Sequence, residues 1–318
     1  MSRLLLDERE SQLIETLVSD LIRADEPWDP VRFADRAVLL AQELPVRLRQ
    51  FLAEVRANEE EVAVVSGLPM DPELVPTPIG WELAAKTGAA QREELLLLLC
   101  GSALGEPFAW SDQQDGRLVH DVCPSPGMEQ SATSASSTGA LSLHTEDAHH
   151  SCRGDYVALL CLRNPDAVST TFVRARSLSI PDKERLVLSA DRYRFDPDHS
   201  HVRLDSSPDS AESGAILFGP EDRPYLRIDL DMIAPVAVMD EEADAAVHKL
   251  TELLHGQCER FVLAPGELVF VDNYRVVHGR DSYVPRYDGL DRWLKRTNLS
   301  RDLRRAFIRT GARSRIVT

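Results

Sequence analysis

Residues of the types that bind metals occur together in one short stretch of the chain. Residues 141–150 read LSLHTEDAHH, in which His144 and Glu146 are separated by a single residue and follow an apolar–polar alternation. On a β-strand, residues i and i+2 project to the same face, so these two side chains would point together. The same pair is also common on a solvent-exposed strand or loop, and a third ligand is needed to separate the two interpretations.

The best candidate for a third ligand is His278, in GELVFVDNYRVVHGR, where it ends an apolar, strand-like run. Two histidines and one carboxylate occupy one face of an octahedron and leave three positions open, which suits non-haem Fe(II) and its oxygen chemistry. The same ligand set also serves zinc hydrolases, and a lone histidine in an apolar run is otherwise a buried, hydrogen-bonded side chain. These residues alone do not decide the metal.

Two arginines follow at a spacing that favours the iron interpretation. Arg292 and Arg296, in RYDGLDRWLKRTNLS, lie 14 and 18 residues after His278 and are an even four residues apart. On the next antiparallel strand they would share a face and come to lie beside the metal. Each guanidinium can bind a carboxylate through two hydrogen bonds, which suits a dicarboxylic co-substrate and a second carboxylate. The alternative is a surface ion pair with Asp288 or Asp291.

The elements that must position these residues change in character along the chain. Residues 1–60 carry apolar residues at helical spacing and predict N-terminal helices. From about residue 107 the chain reads as short strands and turns, interrupted by only two clear helices at 180–190 and 240–256. Because strands and helices do not alternate, this pattern favours a mainly β fold with flanking helices, built as an antiparallel double-sheet barrel or jelly roll.

Composition and charge limit the partners. With 52 acidic and 36 basic side chains the net charge is −16, which repels nucleic acid and anionic membranes and attracts a cationic small molecule. No stretch approaches the ~20 apolar residues that span a bilayer, and the N-terminal apolar run is too short for a signal peptide. The five cysteines form no CxxC pair and read as free thiols of a reducing compartment. The prediction is a cytoplasmic protein that acts on a small molecule.

Several motifs then occur in one order along the chain, namely HTED, RNPDAVSTT, VHGR and RYDGLDRWLKR. In this order they resemble the clavaminate-synthase-like branch of the Fe(II)/2-oxoglutarate-dependent oxygenases, and most closely its hydroxylases of free L-arginine in antibiotic biosynthesis. The resemblance covers roughly residues 60 to 305. It implies one oxygenase domain over residues 1–318, with a double-stranded β-helix (distorted jelly-roll) core at about 107–305 and a lid near 196–214.

The resemblance assigns the metal and co-substrate sites residue by residue. His144, Glu146 and His278 would bind Fe(II), the metal of that family. Arg292 would bind the distal carboxylate of 2-oxoglutarate, and Thr171, at the end of VSTT, would lie beside it. The co-substrates would be 2-oxoglutarate and O2, and the products succinate, CO2 and a hydroxylated substrate.

The resemblance also implies an amino-acid site. Arg296 would hold the α-carboxylate of the substrate, while Gln113 and the outer oxygen of Glu146 would receive its α-amine. Ser134, in the Ser/Gly-rich loop before HTED, corresponds to a further position that lines this pocket.

Three acids indicate the far end of the substrate. Asp229 and Asp231, in RIDLD, match acids that bind the guanidinium in the arginine hydroxylases, and Asp198, in DPDHSH, matches an acid of the lid. Carboxylates around one side chain favour a cation, although a solvated acidic face is the alternative. The lid region is shorter than in those relatives, and His149 replaces an aromatic residue, so the carbon that is attacked stays open between C3 and C4.

The leading prediction is hydroxylation of free L-arginine, with L-lysine or citrulline as the second choice and desaturation as the second reaction. Glu146 occupies the position that a halogenase leaves open for a halide, which argues against halogenation. Two other classes remain, a zinc hydrolase and a non-catalytic binding module on the same fold. The first leaves Arg292 and Arg296 without a role, and the second usually lacks one of the three ligands.

Overall fold

The computed structural model describes residues 1–23, 27–201 and 212–318. Residues 202–211 of the predicted lid lie outside the described residues. The strands are β1 (Ser2–Leu5), β2 (Val62–Ser66), β3 (Glu106–Trp110), β4 (His120–Val122), β5 (Leu141–His144), β6 (Tyr156–Arg163), β7 (Ser169–Arg174), β8 (Tyr193–Phe195), β9 (Glu212–Gly214), β10 (Leu217–Phe218), β11 (Tyr225–Leu226), β12 (Ile233–Pro235), β13 (Glu259–Val262), β14 (Leu268–Asp272), β15 (Val276–Arg280), β16 (Trp293–Ser300) and β17 (Ile316–Val317).

Most of these strands form two sheets that pack face to face. The larger sheet has the order β1-β2-β14-β6-β16-β3-β17, with β4 beside β16, and the smaller has the order β13-β7-β15-β5. Apolar side chains of both sheets meet in one buried cluster that includes Val157, Phe172, Val269, Val276 and Leu294. Strands β6 and β14 read as continuous apolar runs because they lie in the middle of the larger sheet and are buried on both faces.

Helices cover the outer faces of the two sheets. They are α1 (Glu8–Arg23), α2 (Pro30–Leu40), α3 (Val46–Asn58), α4 (Trp81–Thr87), α5 (Gln91–Ser102), α6 (Asp182–Leu188), α7 (Glu241–Gly256) and α8 (Arg304–Thr310), with short 3-10 turns at Ala41–Glu43, Gln114–Gly116 and Ala175–Ser177. Leucines of α5 pack with residues of α1 to α3 on the larger sheet. On the other side α6 and α7 pack against the smaller sheet. Among the described residues no helix is long and apolar enough to cross a membrane.

The predicted mainly β fold with flanking helices is confirmed, and the differences are local. Residues 1–60 are not purely helical, because β1 pairs in parallel with β2 and extends the larger sheet. The predicted strand YLRIDL is shorter than expected: only Tyr225–Leu226 is regular, and Asp229 forms a single isolated bridge with His144. That bridge brings the acidic stretch after β11 to the edge of the smaller sheet, next to the candidate metal ligands.

Candidate active site

The two candidate histidine ligands lie directly opposite each other on neighbouring strands. The antiparallel register pairs His144, the last residue of β5, with His278 of β15, and their ring centroids are 4.5 Å apart. The Nε2 atoms of both histidines lie 3.7 Å from Oε2 of Glu146. Two donors that each lie about 2.1 Å from one ion are at most about 4 Å apart. The three side chains therefore form a group that fits a single metal ion.

Glu146 reaches this group from a turn rather than from the strand. β5 ends at His144, and the chain turns at Asp147, whose backbone φ is 54°. Strand alternation is thus not what brings His144 and Glu146 together. The fully buried Asn273 fixes the turn: its Oδ1 accepts from the Glu146 N–H at 2.6 Å, and its Nδ2 donates to the carbonyl oxygens of Glu146 at 2.9 Å and Gly154 at 3.0 Å. The sequence motifs did not indicate this residue.

The charge and tautomer of the group suit a divalent cation. The Nδ1–H of His144 donates to the Ser142 carbonyl oxygen at 2.8 Å, which turns Nε2 towards Glu146, as in metal-bound histidines. Burial by itself lowers the pKa of His144, but the Glu146 and Asp229 carboxylates raise it to about 9. Burial opposes the charge on Glu146, yet Arg296 and the two histidines hold its pKa well below the usual range. A carboxylate that stays ionised between two imidazoles is a donor set that Fe(II) accepts.

Replacing Asn273 with alanine is expected to lower the affinity for Fe(II) about 10- to 100-fold, the usual loss when a group that orients a metal ligand is removed. The measurement is an anaerobic titration of Fe(II) against a chelator. Asn164→Ala is the matched control, because the Asn164 side chain makes a similar clamp, to Val168 and to the Leu263 carbonyl, away from the site. Equal affinity losses in both variants would show that Asn273 acts only on general stability.

Arg296 contacts the outer oxygen of the carboxylate ligand. Its Nη1 donates to Oε1 of Glu146, and its Nη2 donates to Oε1 of Gln113 at 3.2 Å and to Nδ1 of His120 at 2.7 Å. Because Nδ1 of His120 accepts this bond, the ring is neutral; burial and the neighbouring Arg296 hold its pKa well below the usual range. The Gln113 Nε2 donates to the Ser200 hydroxyl at 2.7 Å. The predicted residues Arg296, Gln113 and Glu146 are therefore in contact.

Arg292 lies at one end of the pocket with its guanidinium buried. It is 4% exposed, and it forms no hydrogen bond or ion pair with any residue that the structure describes. Burial lowers its pKa. The alternative of an ion pair with Asp291 is not realised, because that carboxylate accepts from the backbone N–H groups of Arg286 at 2.8 Å and Tyr287 at 2.6 Å. A buried cation without a partner is costly unless an anion binds to it.

A second buried arginine, Arg280, lines the same end of the pocket. Its guanidinium donates to the carbonyl oxygens of Ser136 and Gly139, both at 2.6 Å, and has no carboxylate partner among the described residues. Burial and the neighbouring Arg292 lower the pKa of Arg280 to about 10. Two cations at one end, neither of which is paired with an acid in the described part of the chain, suit a carboxylate-bearing ligand.

The position of Thr171 differs from the prediction. Register pairs Thr170 with Arg280 and Thr171 with Gly279, so successive side chains of β7 face opposite sides. Thr170 lines the pocket. Thr171 lies on the other face, beside the Cys258 thiol. Because a one-residue difference in position reverses the face, the hydroxyl at this end of the pocket belongs to Thr170.

The three predicted acids meet at the opposite end of the pocket. Asp198, Asp229 and Asp231 line it together with Ser134 and Ser200, and none of the three acids forms an ion pair with a described residue. Asp229 Oδ1 accepts from the Asp231 backbone N–H at 3.0 Å, and Asp198 Oδ1 accepts from the Ser200 N–H at 2.7 Å and hydroxyl at 2.5 Å. Burial raises the pKa of Asp229, and the other two acids add to the effect. This end of the pocket is therefore suited to a cation.

Comparison with known proteins agrees with this geometry. The profile of the family described as "Taurine catabolism dioxygenase TauD, TfdA family" matches residues 86–298. The chain is 36% identical to an enduracididine beta-hydroxylase of Streptomyces hygroscopicus and 35% identical to an L-ornithine/L-arginine 3-hydroxylase of Catenulispora acidiphila, over 96% of each chain in both cases. The crystal structure of the non-heme iron oxygenase OrfP with Fe, succinate and (3S)-hydroxy-L-Arg superposes with a TM-score of 0.92 at 33% identity and covers both chains completely.

Proposed function

Because the chain belongs to the TauD/TfdA family of dioxygenases, we propose that it hydroxylates the side chain of a free cationic amino acid, L-arginine in the first place. Its two packed sheets are the jelly-roll core of these oxygenases, and its cofactor and co-substrates are Fe(II), 2-oxoglutarate and O2. The single observation that carries the choice of substrate is the group of three acids, Asp198, Asp229 and Asp231, which have no cationic partner among the described residues. We take residues 1–318 as one oxygenase domain.

His144, Glu146 and His278 would hold the iron through Nε2, Oε2 and Nε2, the atoms that face one another. Bound iron together with 2-oxoglutarate supplies the activation of O2 that inserts one oxygen atom into a C–H bond and yields succinate and CO2. The protein contributes the rest: Asn273 holds the ligand turn, and the two ends of the pocket orient co-substrate and substrate around the metal.

The distal carboxylate of 2-oxoglutarate is assigned to Arg292, with the Thr170 hydroxyl beside it instead of that of Thr171. Arg280 adds a second positive charge at this end without an acid of its own. A zinc hydrolase with the same three ligands would leave a buried, unpaired Arg292 unexplained. The oxygenase accounts for it, because the co-substrate carries the missing anion.

Arg292→Gln is expected to raise KM for 2-oxoglutarate about 30- to 100-fold, the loss that follows from removing a buried charge-assisted pair. Succinate formation at increasing 2-oxoglutarate gives the value. Arg286→Gln is the matched control, because Arg286 pairs with Asp166 on the surface at 2.8 Å and does not line the pocket that Arg292 lines. An unchanged KM in Arg292→Gln would move the co-substrate site elsewhere.

The contacts of Arg296 favour a free amino acid. Its guanidinium is paired with Oε1 of Glu146 and Oε1 of Gln113. A zwitterion brings a carboxylate for Arg296 and an ammonium for the two oxygens that Arg296 releases, so each charged group keeps a partner after the exchange. An amino acid tethered through its carboxyl group would leave Arg296 without that partner.

Side-chain chemistry then separates the candidates. A guanidinium donates to two carboxylates at once through its planar fork, whereas a lysine ammonium makes a point contact and citrulline leaves the acids without a counter-charge. We place the oxygen at C3, because the two relatives named above are a beta-hydroxylase and a 3-hydroxylase. C4 is the alternative position.

The test is an incubation of the protein with Fe(II), 2-oxoglutarate, O2 and ascorbate, with L-arginine, L-ornithine, L-lysine, L-citrulline or enduracididine added singly. Mass spectrometry and succinate analysis follow each reaction. We expect L-arginine to gain one oxygen atom with one succinate per product, whereas loss of two hydrogens would indicate desaturation. No succinate with any amino acid would favour a binding module, and hydrolysis with Zn(II) in the absence of 2-oxoglutarate would favour a hydrolase.

A further inference from the structure

The tetrapeptide 198–201 is held against the pocket by a buried histidine. The side chain of His201 is 1% exposed and lies between two carboxylates: Nδ1 is 3.0 Å from Oδ1 of Asp112, and Nε2 is 3.2 Å from Oδ1 of Asp147. An ionised carboxylate only accepts, so hydrogen bonds to two such groups require a hydrogen on both ring nitrogens. Burial by itself lowers the pKa of His201, but the two acids raise it to about 10. The ring therefore bridges the loops of Asp112 and Asp147 as an imidazolium.

The two loops that His201 connects both carry predicted site residues. Asp112 precedes Gln113, and Asp147 follows the ligand Glu146. Asp147 is itself fixed, because its Oδ2 accepts from Asn298 of β16 at 2.9 Å. His201 thus connects the amine-binding loop to the turn that bears a metal ligand.

The residues just before His201 face the substrate. Asp198 and Ser200 line the pocket, and the Ser200 hydroxyl accepts from Gln113 Nε2 at 2.7 Å. His201 is thus the buried end of a four-residue stretch, which we call the clasp (residues 198–201). The neighbouring His199, of the same residue type, is exposed.

We propose that His201 is a positioning residue that fastens the clasp to the loops of Asp112 and Asp147, and thereby sets the position of Asp198 and Ser200 against the bound amino acid. This inference rests on the proposed function for its substrate. His201 itself is not among the residues that line the pocket. Its loss acts on the fit of the amino acid and on how efficiently 2-oxoglutarate consumption is converted into hydroxylated product.

The test compares His201→Ala and Asp112→Asn with the exposed control His199→Ala. For His201→Ala we expect KM for L-arginine to rise about tenfold, the loss of charge-assisted hydrogen bonds at a positioning residue. Hydroxylated product per succinate should fall, while KM for 2-oxoglutarate stays as in the unaltered protein. The double variant His201→Ala/Asp112→Asn should show no larger rise in the KM for L-arginine than His201→Ala alone, because both changes break the same contact between His201 and Asp112. Asp112→Asn also serves as the milder test if His201→Ala does not fold.

Hydrogen–deuterium exchange supplies a readout that needs no turnover. Exchange at residues 112–122 and 145–150 should quicken in His201→Ala and stay unchanged in His199→Ala. Unchanged exchange together with an unchanged arginine KM and product ratio overturns the proposal. If the unaltered protein does not turn over L-arginine, the substrate assignment fails and the exchange comparison alone decides on the clasp.

Discussion

The variant His278→Ala is expected to form no measurable succinate with any amino acid, a loss of about a thousandfold or more. The expectation follows from geometry: His278 is the direct register partner of His144, and its Nε2 faces the same Glu146 oxygen. Two ligands on one strand and its turn would remain, too few to hold Fe(II) on one octahedral face. Removing a residue that only orients a metal ligand already lowers metal affinity or activity about 10- to 100-fold. The loss of a ligand should therefore lower activity by more than that range.

His278 is also buried, and the experiment must separate metal loss from misfolding. His278→Gln keeps most of the side-chain volume and should lose activity equally. His255→Ala, at an exposed position near the end of α7, is the control of the same residue type. Far-ultraviolet circular dichroism should match for all three variants, with Fe(II) binding lost only in the two His278 variants. Succinate formation by a folded His278→Ala protein would contradict the oxygenase site.

The second large effect is expected at the acidic end of the pocket. The double variant Asp229→Asn/Asp231→Asn should lower kcat/KM for L-arginine about 100- to 1000-fold, because the two carboxylates that accept from the guanidinium become uncharged amides. Turnover of L-citrulline, which has nearly the same shape and no side-chain charge, should fall far less. The ratio of the two kcat/KM values is therefore the measured quantity.

This ratio protects the result against indirect damage. Asp229 bridges to His144 through the backbone, so a disturbed metal site would lower arginine and citrulline turnover together. Glu221→Gln/Asp222→Asn removes the same charge from an exposed turn nearby and should leave both rates unchanged. Equal losses for both amino acids in Asp229→Asn/Asp231→Asn would remove the acidic group as the basis of substrate choice.

Local patterns in the sequence predicted the elements, and several contacts of the site depend on details that such patterns do not contain. Apolar runs and helical spacing gave the helices and the buried strands, because burial and periodicity are local properties. The side that Thr171 faces depends on strand parity, where one residue reverses the outcome. Glu146 depends on the turn at Asp147 rather than on alternation. The positions of both side chains are therefore set by tertiary structure and not by the local sequence pattern.

Contacts between distant segments were beyond prediction from spacing. Asn273 binds the backbone of Glu146, from which it is distant in the chain. His201 likewise bridges Asp112 and Asp147, which both lie more than 50 residues before it. The motif VHGR did indicate His278. Arg292 and Arg296 do line one pocket, but not as neighbours on the strand beside β15: Arg292 precedes β16, and β16 belongs to the larger sheet. Charge was informative because the three acids at one end of the pocket have no cationic partner among the described residues and favour a cationic ligand.

The pairing of β2 with β14 and of β5 with β15 has a consequence for biosynthesis of the protein. Val62–Ser66 pairs with Leu268–Asp272, and His144 pairs with His278, so each early strand lacks its partner until more than 200 or 130 further residues, respectively, have been synthesised. Neither sheet can therefore form completely until most of the chain has left the ribosome. Such distant pairings make folding slow and expose apolar edges to aggregation meanwhile. With the proposed ligands, iron binding would be a late event in maturation, and expression at reduced temperature should favour the metal-loaded product.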